Sequence, residues 1–236
     1  MHGIGYDAIH DEIVVPQAFA QAVLTFRGDA SGDEAPIRAI QGPLTGLKAP
    51  DRLSIDPVNN EIYVPEREGY ILVFPREADG NVAPIRRLEG PNTGISGGLT
   101  YVLVDPVRDL LIVANGGRFR IFDRTANGNV APKAIIDGRK AGFRGPSGPP
   151  AYNPSTGMLV ASSHVSGESG SQQLNNVGEV VVFHIDDTGD ATPRWALGRG
   201  FLKVPRGIAL DPETKNIIVS DKIGNRLVTF NLPEVF

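Results

Sequence analysis

Cysteine is absent from the chain. That excludes disulfides and thiolate metal sites, and it is compatible with either the cytoplasm or an exported location. Long apolar runs are absent as well; none approaches the roughly 18–20 residues needed to span a membrane. Met1-His2-Gly3-Ile4-Gly5 lacks both the basic start and the apolar stretch of a signal peptide. It enters a strand almost at once, so a natural upstream segment is expected before it. A surplus of basic charge is missing too. The net charge is −4, which argues against a general nucleic-acid binder. No segment sustains a 3.6-residue apolar period, so almost no helix is expected. Several catalytic signatures also fail. Gly167-Glu168-Ser169-Gly170-Ser171 lacks the spacing of a nucleophile elbow. Gly3-Ile4-Gly5-Tyr6-Asp7-Ala8 fits a loose dinucleotide fingerprint but opens a strand rather than a helix. There is no Walker loop and no zinc-binding His pair on a helix.

What the chain does contain is a repeat. Of 236 residues, 41% are hydrophobic, enough for a core that hides roughly 70–75% of the unfolded surface. With 28 Gly and 19 Pro, the composition suits many short strands joined by turns. Asp56-Pro57-Val58-Asn59-Asn60-Glu61-Ile62-Tyr63-Val64, then Ile71-Leu72-Val73-Phe74, then Gly80-Asn81-Val82-Ala83-Pro84 recurs from Asp105. Anchors at Asp7, Asp56, Asp105, Asn153 and Asp211 are spaced 49, 49, 48 and 58 residues apart. Two further landmarks keep the same order. One is an aromatic at Phe26, Phe74, Phe122, Phe183 and Phe230; the other is a proline expected to open a fourth strand at Pro36, Pro84, Pro132 and Pro193. Each repeat holds four short runs rich in Val, Ile, Tyr and Phe, as strands require. Asp56-Pro57 and Asp79-Gly80 punctuate them as turns. Four antiparallel strands per repeat are the signature of a β-propeller blade. The reading is all-β: a single domain, 1–236, folded as a five-bladed propeller.

The pattern Pro205-Arg206-Gly207-Ile208-Ala209-Leu210-Asp211, Ile217-Ile218-Val219-Ser220-Asp221 and Asn225-Arg226-Leu227-Val228-Thr229-Phe230 resembles the NHL-type propeller repeat. That repeat belongs to the broad superfamily that includes six-bladed gluconolactonase-like proteins. The resemblance covers nearly the whole chain and is specific for fold, not function. It departs in count, because only five repeats fit where six are usual.

Ten residues after each anchor stand Gln17, Glu66, Asn115, Ser163 and Asp221. All offer a side-chain oxygen, and equivalent positions in a propeller form a ring. The resemblance implies that this turn opens on the face with the channel mouth. It also implies a divalent metal held by Glu, Asn and Asp; Glu66, Asn115 and Asp221 match those types. Calcium or another divalent cation is the cofactor such oxygens would hold. The bland alternative is that they end the second strand and satisfy turn backbone groups. A basic rim is expected from Asp51, Arg52, Arg67, Arg118, Arg206 and Lys222, which either clasp an anion or form solvated charges. His164 adjoins the ring and is the candidate general base or ligand, expected just outside it. His2, His10 and His184 show no ligand spacing.

The fourth repeat carries a surplus from His164 to Gly178, polar and rich in Gly and Ser. It reads as an exposed, mobile loop, either a tolerated insertion or part of a binding face. Two function classes stay open. One is a non-catalytic scaffold binding a protein partner or small molecule at the channel mouth. The other is a metal-dependent lactonase-like hydrolase or lyase, with a cation polarising a carbonyl and activating water. Five blades need 20 strands, but the pattern supplies only 19. The last blade should therefore be three-stranded, its open edge completed either by a natural upstream segment or by a neighbouring molecule through strand addition, self-association included. Otherwise Pro233 and Glu234 blunt a tolerated edge.

Overall fold

The computed structural model describes residues 3–165 and 177–236. Its elements are short strands in five sheets. The first sheet is β1 (Gly5–Asp7), β2 (Glu12–Gln17), β3 (Ala22–Arg27) and β4 (Arg38–Gln41). The second is β5 (Ser54–Asp56), β6 (Glu61–Glu66), β7 (Tyr70–Pro75) and β8 (Arg86–Leu88). The third has β9 (Tyr101–Asp105), β10 (Leu110–Asn115), β11 (Arg118–Asp123) and β12 (Ala134–Asp137). The fourth comprises β13 (Ala151–Asn153), β14 (Met158–Val165), β15 (Val177–His184) and, beyond the short β16 (Gly189–Asp190), β17 (Trp195–Leu197). The fifth has three strands only: β18 (Pro205–Asp211), β19 (Asn216–Asp221) and β20 (Arg226–Asn231). Within each sheet consecutive strands are neighbours, and the protein is a five-bladed β-propeller. Helix is confined, among the described residues, to four single 3₁₀ turns; none is long and apolar enough to cross a membrane.

The anchor aspartates explain why the first hairpin of each blade turns where it does. The Asp56 carboxylate accepts the backbone N–H groups of Val58 and Asn59, both at 3.1 Å, and the Asn59 side-chain amide at 2.7 Å. Asp7 does the same with Ile9, His10 and the His10 ring, and Asp211 with Glu213, Thr214 and the Thr214 hydroxyl. Side-chain oxygens that bond the backbone two residues on stabilise turns. Four residues after the anchor the backbone is left-handed in every blade: Asp11, Asn60, Asp109, Gly157 and Lys215. The carbonyl of that residue then accepts the N–H just beyond the third strand, as in Arg76 to Asn60 (2.8 Å) and Arg124 to Asp109 (2.9 Å). One carboxylate thus fixes a turn that in turn aligns three strands.

The landmark prolines do not themselves open the fourth strand. β4, β8, β12 and β17 each begin two residues later. Proline has no N–H to give to the ladder. Pairing starts at the next residue: Ile37 donates to Thr25, Ile85 to Val73, Lys133 to Ile121 and Arg194 to Val182, at 2.7–2.8 Å. The expected loop from His164 to Gly178 is also shorter at both ends. His164 pairs with Gly178 and Val165 with Val177 within the β14–β15 ladder, as two facing β-branched residues favour. The rest of that stretch, 166–176, lies outside the described residues, and so does its expected mobility.

Two compact units divide the chain: Met1–Val113 with Ile121–Lys133, and Ala114–Arg120 with Ala134–Phe236. In the first unit, Val14, Val23 and Ile40 pack with Ile62, Val64, Leu72 and Phe74. The other face of the second blade packs Tyr63, Ile71, Val73 and Leu88 with Leu111, Val113 and Phe122. In the second unit, Phe119, Phe143 and Phe183 form a cluster with centroids 5.6–5.8 Å apart. Nearby, Met158, Val160, Val180, Val182, Ile217 and Val219 share one core. Each fully buried side chain of this kind contributes about 1.5–3 kcal/mol, so these faces carry most of the stability.

Polar latches add register. In the first unit, the Gly80 turn, at φ 75°, exchanges backbone hydrogen bonds with Ala39 and Gln41, while Asp79 and Asn81 accept the N–H groups of Ala39 and Leu44 at 2.8 Å. Asn127, Gly128 and Asn129 grip Arg87, Glu89 and Asn92 in the same way. In the second unit the latch is regular enough to form β16, which adds to β12 in parallel and makes the third sheet five-stranded. A buried carboxylate joins the first two blades. Glu12 accepts from Arg38 at 2.5 Å and from Arg76 at 3.0 Å. Glu61 repeats this with Arg124 and the Tyr63 hydroxyl, and with Arg86 as an ion pair at 2.6 Å that lacks hydrogen-bond alignment. Burial pushes both carboxyls up, but the arginines outweigh it and hold them below the usual glutamate range. In the fourth blade the equivalent positions are apolar: Met158, Trp195 and Leu232, all in one hydrophobic cluster.

Two outcomes follow from these contacts. Asp56→Ala should lower stability by roughly 1–3 kcal/mol in denaturant unfolding, because three part-buried donors lose a charged acceptor; Asp56→Asn should cost less. Arg76→Met should cost about 3 kcal/mol by leaving Glu12 underpaired. The triple change Glu12→Met, Arg38→Trp, Arg76→Leu, which copies the fourth blade, should recover most of that loss. A triple variant no more stable than Arg76→Met would refute this account of the joint.

Candidate functional site

Four of the five ring candidates end the second strand of their blades, Ser163 lies two residues before the end of β14, and their chemistry differs. Glu66 closes β6 and is 1% exposed. Its carboxylate accepts the N–H groups of Lys48 (3.2 Å) and Ala49 (2.9 Å). Burial raises its pKa above the ordinary glutamate value, and those two bonds only partly offset the rise. Asp221 closes β19, equally buried. It accepts from Val204 (2.9 Å), Lys203 (3.1 Å) and Gly224 (3.2 Å), with Arg226 at 3.4 Å. Burial acts on Asp221 as on Glu66, but here the backbone donors win and the pKa is lowered.

Asn115 closes β10, and its backbone carbonyl accepts from Arg120 at 3.1 Å. Arg120 is 5% exposed, and burial lowers its pKa, with Arg118 adding repulsion. Ser163 lies in β14 opposite Glu179; its hydroxyl is buried with no partner among the described residues. The Ser147 hydroxyl donates to the Pro205 carbonyl at 2.7 Å and accepts from the neighbouring Ser162 hydroxyl at 3.1 Å. Gln17 ends β2, half-buried and paired with Ala22. His164 is in β14, but its side chain lies outside the described residues.

Glu66 and Asp221 therefore perform the same local job: each ties down the segment that leads into its blade's first strand. This donor set fits a hard cation poorly, since such ions want several oxygens freed from amide partners. Among the described residues no three His, Asp or Glu side chains group to hold a metal. The rim residues are largely paired. Asp51 accepts from Arg52 (3.1 Å) and Arg67 (3.2 Å), and the Arg52 guanidinium lies 4.7 Å above the Tyr101 ring. Arg118 and Arg139 both bind Asp137, whose pKa they pull far down. Arg206 donates to the Ser147 carbonyl at 2.5 Å, while Lys222 is exposed.

Sequence reasoning missed Phe19. It sits on the turn between β2 and β3, two residues past Gln17, and is 99% exposed. Beside it an open cleft of about 490 Å³ is lined by Ala20, Gln21, Gln41, Gly42, Pro43 and Leu47. Leu44, on the 3₁₀ turn between β4 and β5, is 63% exposed. A signal was present: the matching turns of the second and third blades read Arg67-Glu68-Gly69 and Gly116-Gly117, with no aromatic.

No family model matches the chain, and no curated protein does. Solved structures do match. A chain of hydrazine synthase from Kuenenia stuttgartiensis superposes with a TM-score of 0.60 at 12% identity, over 97% of this chain and 64% of that one. A chain of a mitotic checkpoint complex gives a TM-score of 0.61 at 10% identity, over 99% of this chain and 63% of that one. At such identities the likeness concerns the fold alone. The chain spans just under two thirds of the length of each of these neighbours.

Asp221→Asn should destabilise the protein by roughly 1–3 kcal/mol at neutral pH, since a charged acceptor of three backbone donors is lost. The folded pKa of Asp221 lies below its ordinary value. Its contribution is thus present above about pH 4 and vanishes as pH falls through the lower folded value. Unfolding curves of both proteins at descending pH should converge in acid. A gap that stays constant would show that the carboxylate charge is not what these amides hold.

Proposed function

We propose that this protein is a non-catalytic propeller scaffold that binds a protein partner at the turn between β2 and β3 and the cleft beside it, both in the first unit. One observation carries the reading: Phe19, an aromatic held fully in solvent on a short, bonded turn beside an open cleft. Exposed apolar groups in rimmed patches mark interaction sites, and aromatic anchors dominate interface energies. Burying this ring on a partner would contribute about 2–3 kcal/mol. The turn keeps its shape without that partner, because Gln41 binds the Ala20 carbonyl at 2.8 Å and Gln21 adopts φ 51°. One structural neighbour is part of a multiprotein complex, which agrees with such a role. The NHL-type resemblance remains part of this proposal as the repeat the blades imitate.

A lactonase-like activity is the weaker reading. It needs Glu66, Asn115 and Asp221 to serve a calcium or other divalent ion, and two of these spend their carboxylates on backbone amides. Elemental analysis of protein purified without chelator should find substoichiometric metal. Calcium should leave the thermal midpoint unchanged, in the native protein and in Glu66→Gln alike. A stoichiometric ion lost in Glu66→Gln would reverse the ranking of the two readings.

Phe19→Ser should leave thermal stability unchanged, since the ring touches little. It should abolish specific partner retention in affinity capture from the source organism. Val107→Ser, at a site 72% exposed elsewhere in the first unit, is the control and should retain every partner. Equal retention by both variants would sink the proposed face.

A further inference from the structure

Beyond the Phe19 face, β20 offers a second binding element, and the chain itself contains four examples of what fills it. In the other blades a fourth strand pairs with the third in one register. Thr25, Leu24 and Val23 face Arg38, Ala39 and Ile40; Val73, Leu72 and Ile71 face Arg86, Arg87 and Leu88; Val182, Val181 and Val180 face Trp195, Ala196 and Leu197. The residue after the conserved-spacing proline donates its N–H to Thr25, Val73, Ile121 and Val182. Counting back from each aromatic landmark, the matching acceptor in the last blade is the Thr229 carbonyl. The matching partner of the terminal Ile or Leu is Leu227.

Exposure separates these positions sharply. Val23, Ile71, Phe119 and Val180 are each 0% exposed, whereas Leu227 is 74% exposed. β20 pairs with β19 on one side and with no strand on the other among the described residues. Residues 232–236 do not cover it. They turn into a 3₁₀ segment whose Val235 is buried, its carbonyl bound by Asn153 and Thr156. An unpaired strand edge is a template for another chain, and strand addition takes affinity from the main chain and specificity from alternate side-chain pockets.

We propose that the β20 edge binds, antiparallel, a segment of a partner polypeptide built like the chain's own outer strands. That segment reads Ala or Thr, then Pro, then three variable residues, then Ile or Leu. Its residue after the proline donates to the Thr229 carbonyl, and its terminal aliphatic side chain lies beside Leu227. Ala35-Pro36 to Ile40, Ala83-Pro84 to Leu88, Ala131-Pro132 to Ile136 and Thr192-Pro193 to Leu197 all follow that form. The proline is part of the specificity. It ends pairing on one side and presets an extended residue before it.

The test uses the whole chain and a synthetic peptide copying residues 79–90. The peptide should bind saturably, raise the thermal midpoint, and protect the Leu227 and Thr229 amides from hydrogen exchange. A peptide N-methylated at the residue after proline should bind about tenfold more weakly or worse, as loss of a central main-chain bond implies. Leu227→Glu should leave the midpoint of the free protein unchanged and weaken the peptide by a similar factor. Binding unaffected by both changes overturns the proposal, as does no binding at millimolar peptide. If the free protein is already a dimer that Leu227→Glu dissolves, the edge belongs to a second copy and the proposal falls.

Discussion

The anchor side chain, a carboxylate in four blades and an amide in the fourth, is the constraint on which each blade depends. First strands of three residues, such as β1, β5 and β13, cannot hold register by ladder bonds alone. The turn that follows must do it. At that turn the chain needs a left-handed residue, which costs a non-glycine roughly 1–2 kcal/mol. Asp11, Asn60, Asp109 and Lys215 bear that cost. Charge-assisted bonds from the anchor, each worth about 1.5–3 kcal/mol, offset it and point the second strand back along the first. The fourth blade shows the limits of substitution. Asn153 anchors there with one oxygen, to Ser155, and the left-handed position is given to Gly157. A weaker cap is matched by a less strained backbone.

Blade joints are built on two layers of interaction with different jobs. Apolar faces supply the energy, because they remove whole Val, Ile, Leu and Phe side chains from water. Charged groups supply register. Glu12 and Glu61, each caught between arginines, are satisfied only at one offset between neighbouring strands. A buried ion pair of this kind adds little net stability and penalises misalignment heavily. The Met158, Trp195 and Leu232 joint makes the opposite trade: more burial, less directional demand. Both designs coexist in one chain, so the repeat does not require either.

Most of the fold was legible in the sequence because its signals are local and repeated. Asp-x-x-x at the first turn, an aromatic closing the third strand, and a proline near the fourth are each tied to one physical need. The three-stranded last blade followed from counting alone. The misplacements have physical causes as well. A proline marks a fourth strand without belonging to its ladder, and the parallel β16 pairing depends on a partner strand some fifty residues away. Of the candidate site, the strand-ending places of Glu66 and Asp221 were legible, and the backbone amides they bind were not. Glu66 and Asp221 share a repeat position and both bind backbone amides. Their pKa values nevertheless move in opposite directions. That difference lies in how many donors outweigh burial, which no spacing encodes.

Repeat proteins spend their recurring polar groups on themselves. In this chain the anchor aspartates, the strand-ending Glu66 and Asp221, the latch asparagines and most rim arginines all have internal partners. A residue that recurs in every blade is thus a poor guide to function, because the recurrence is explained by folding. Departures from the repeat have no such explanation. Phe19 replaces a polar or glycine turn and gains no contact from it. Leu227 keeps the apolar character of four buried equivalents while standing in solvent. Both cost solubility without returning stability to the free chain. That imbalance is the physical ground on which the Phe19 turn tip and the β20 edge are proposed as binding elements.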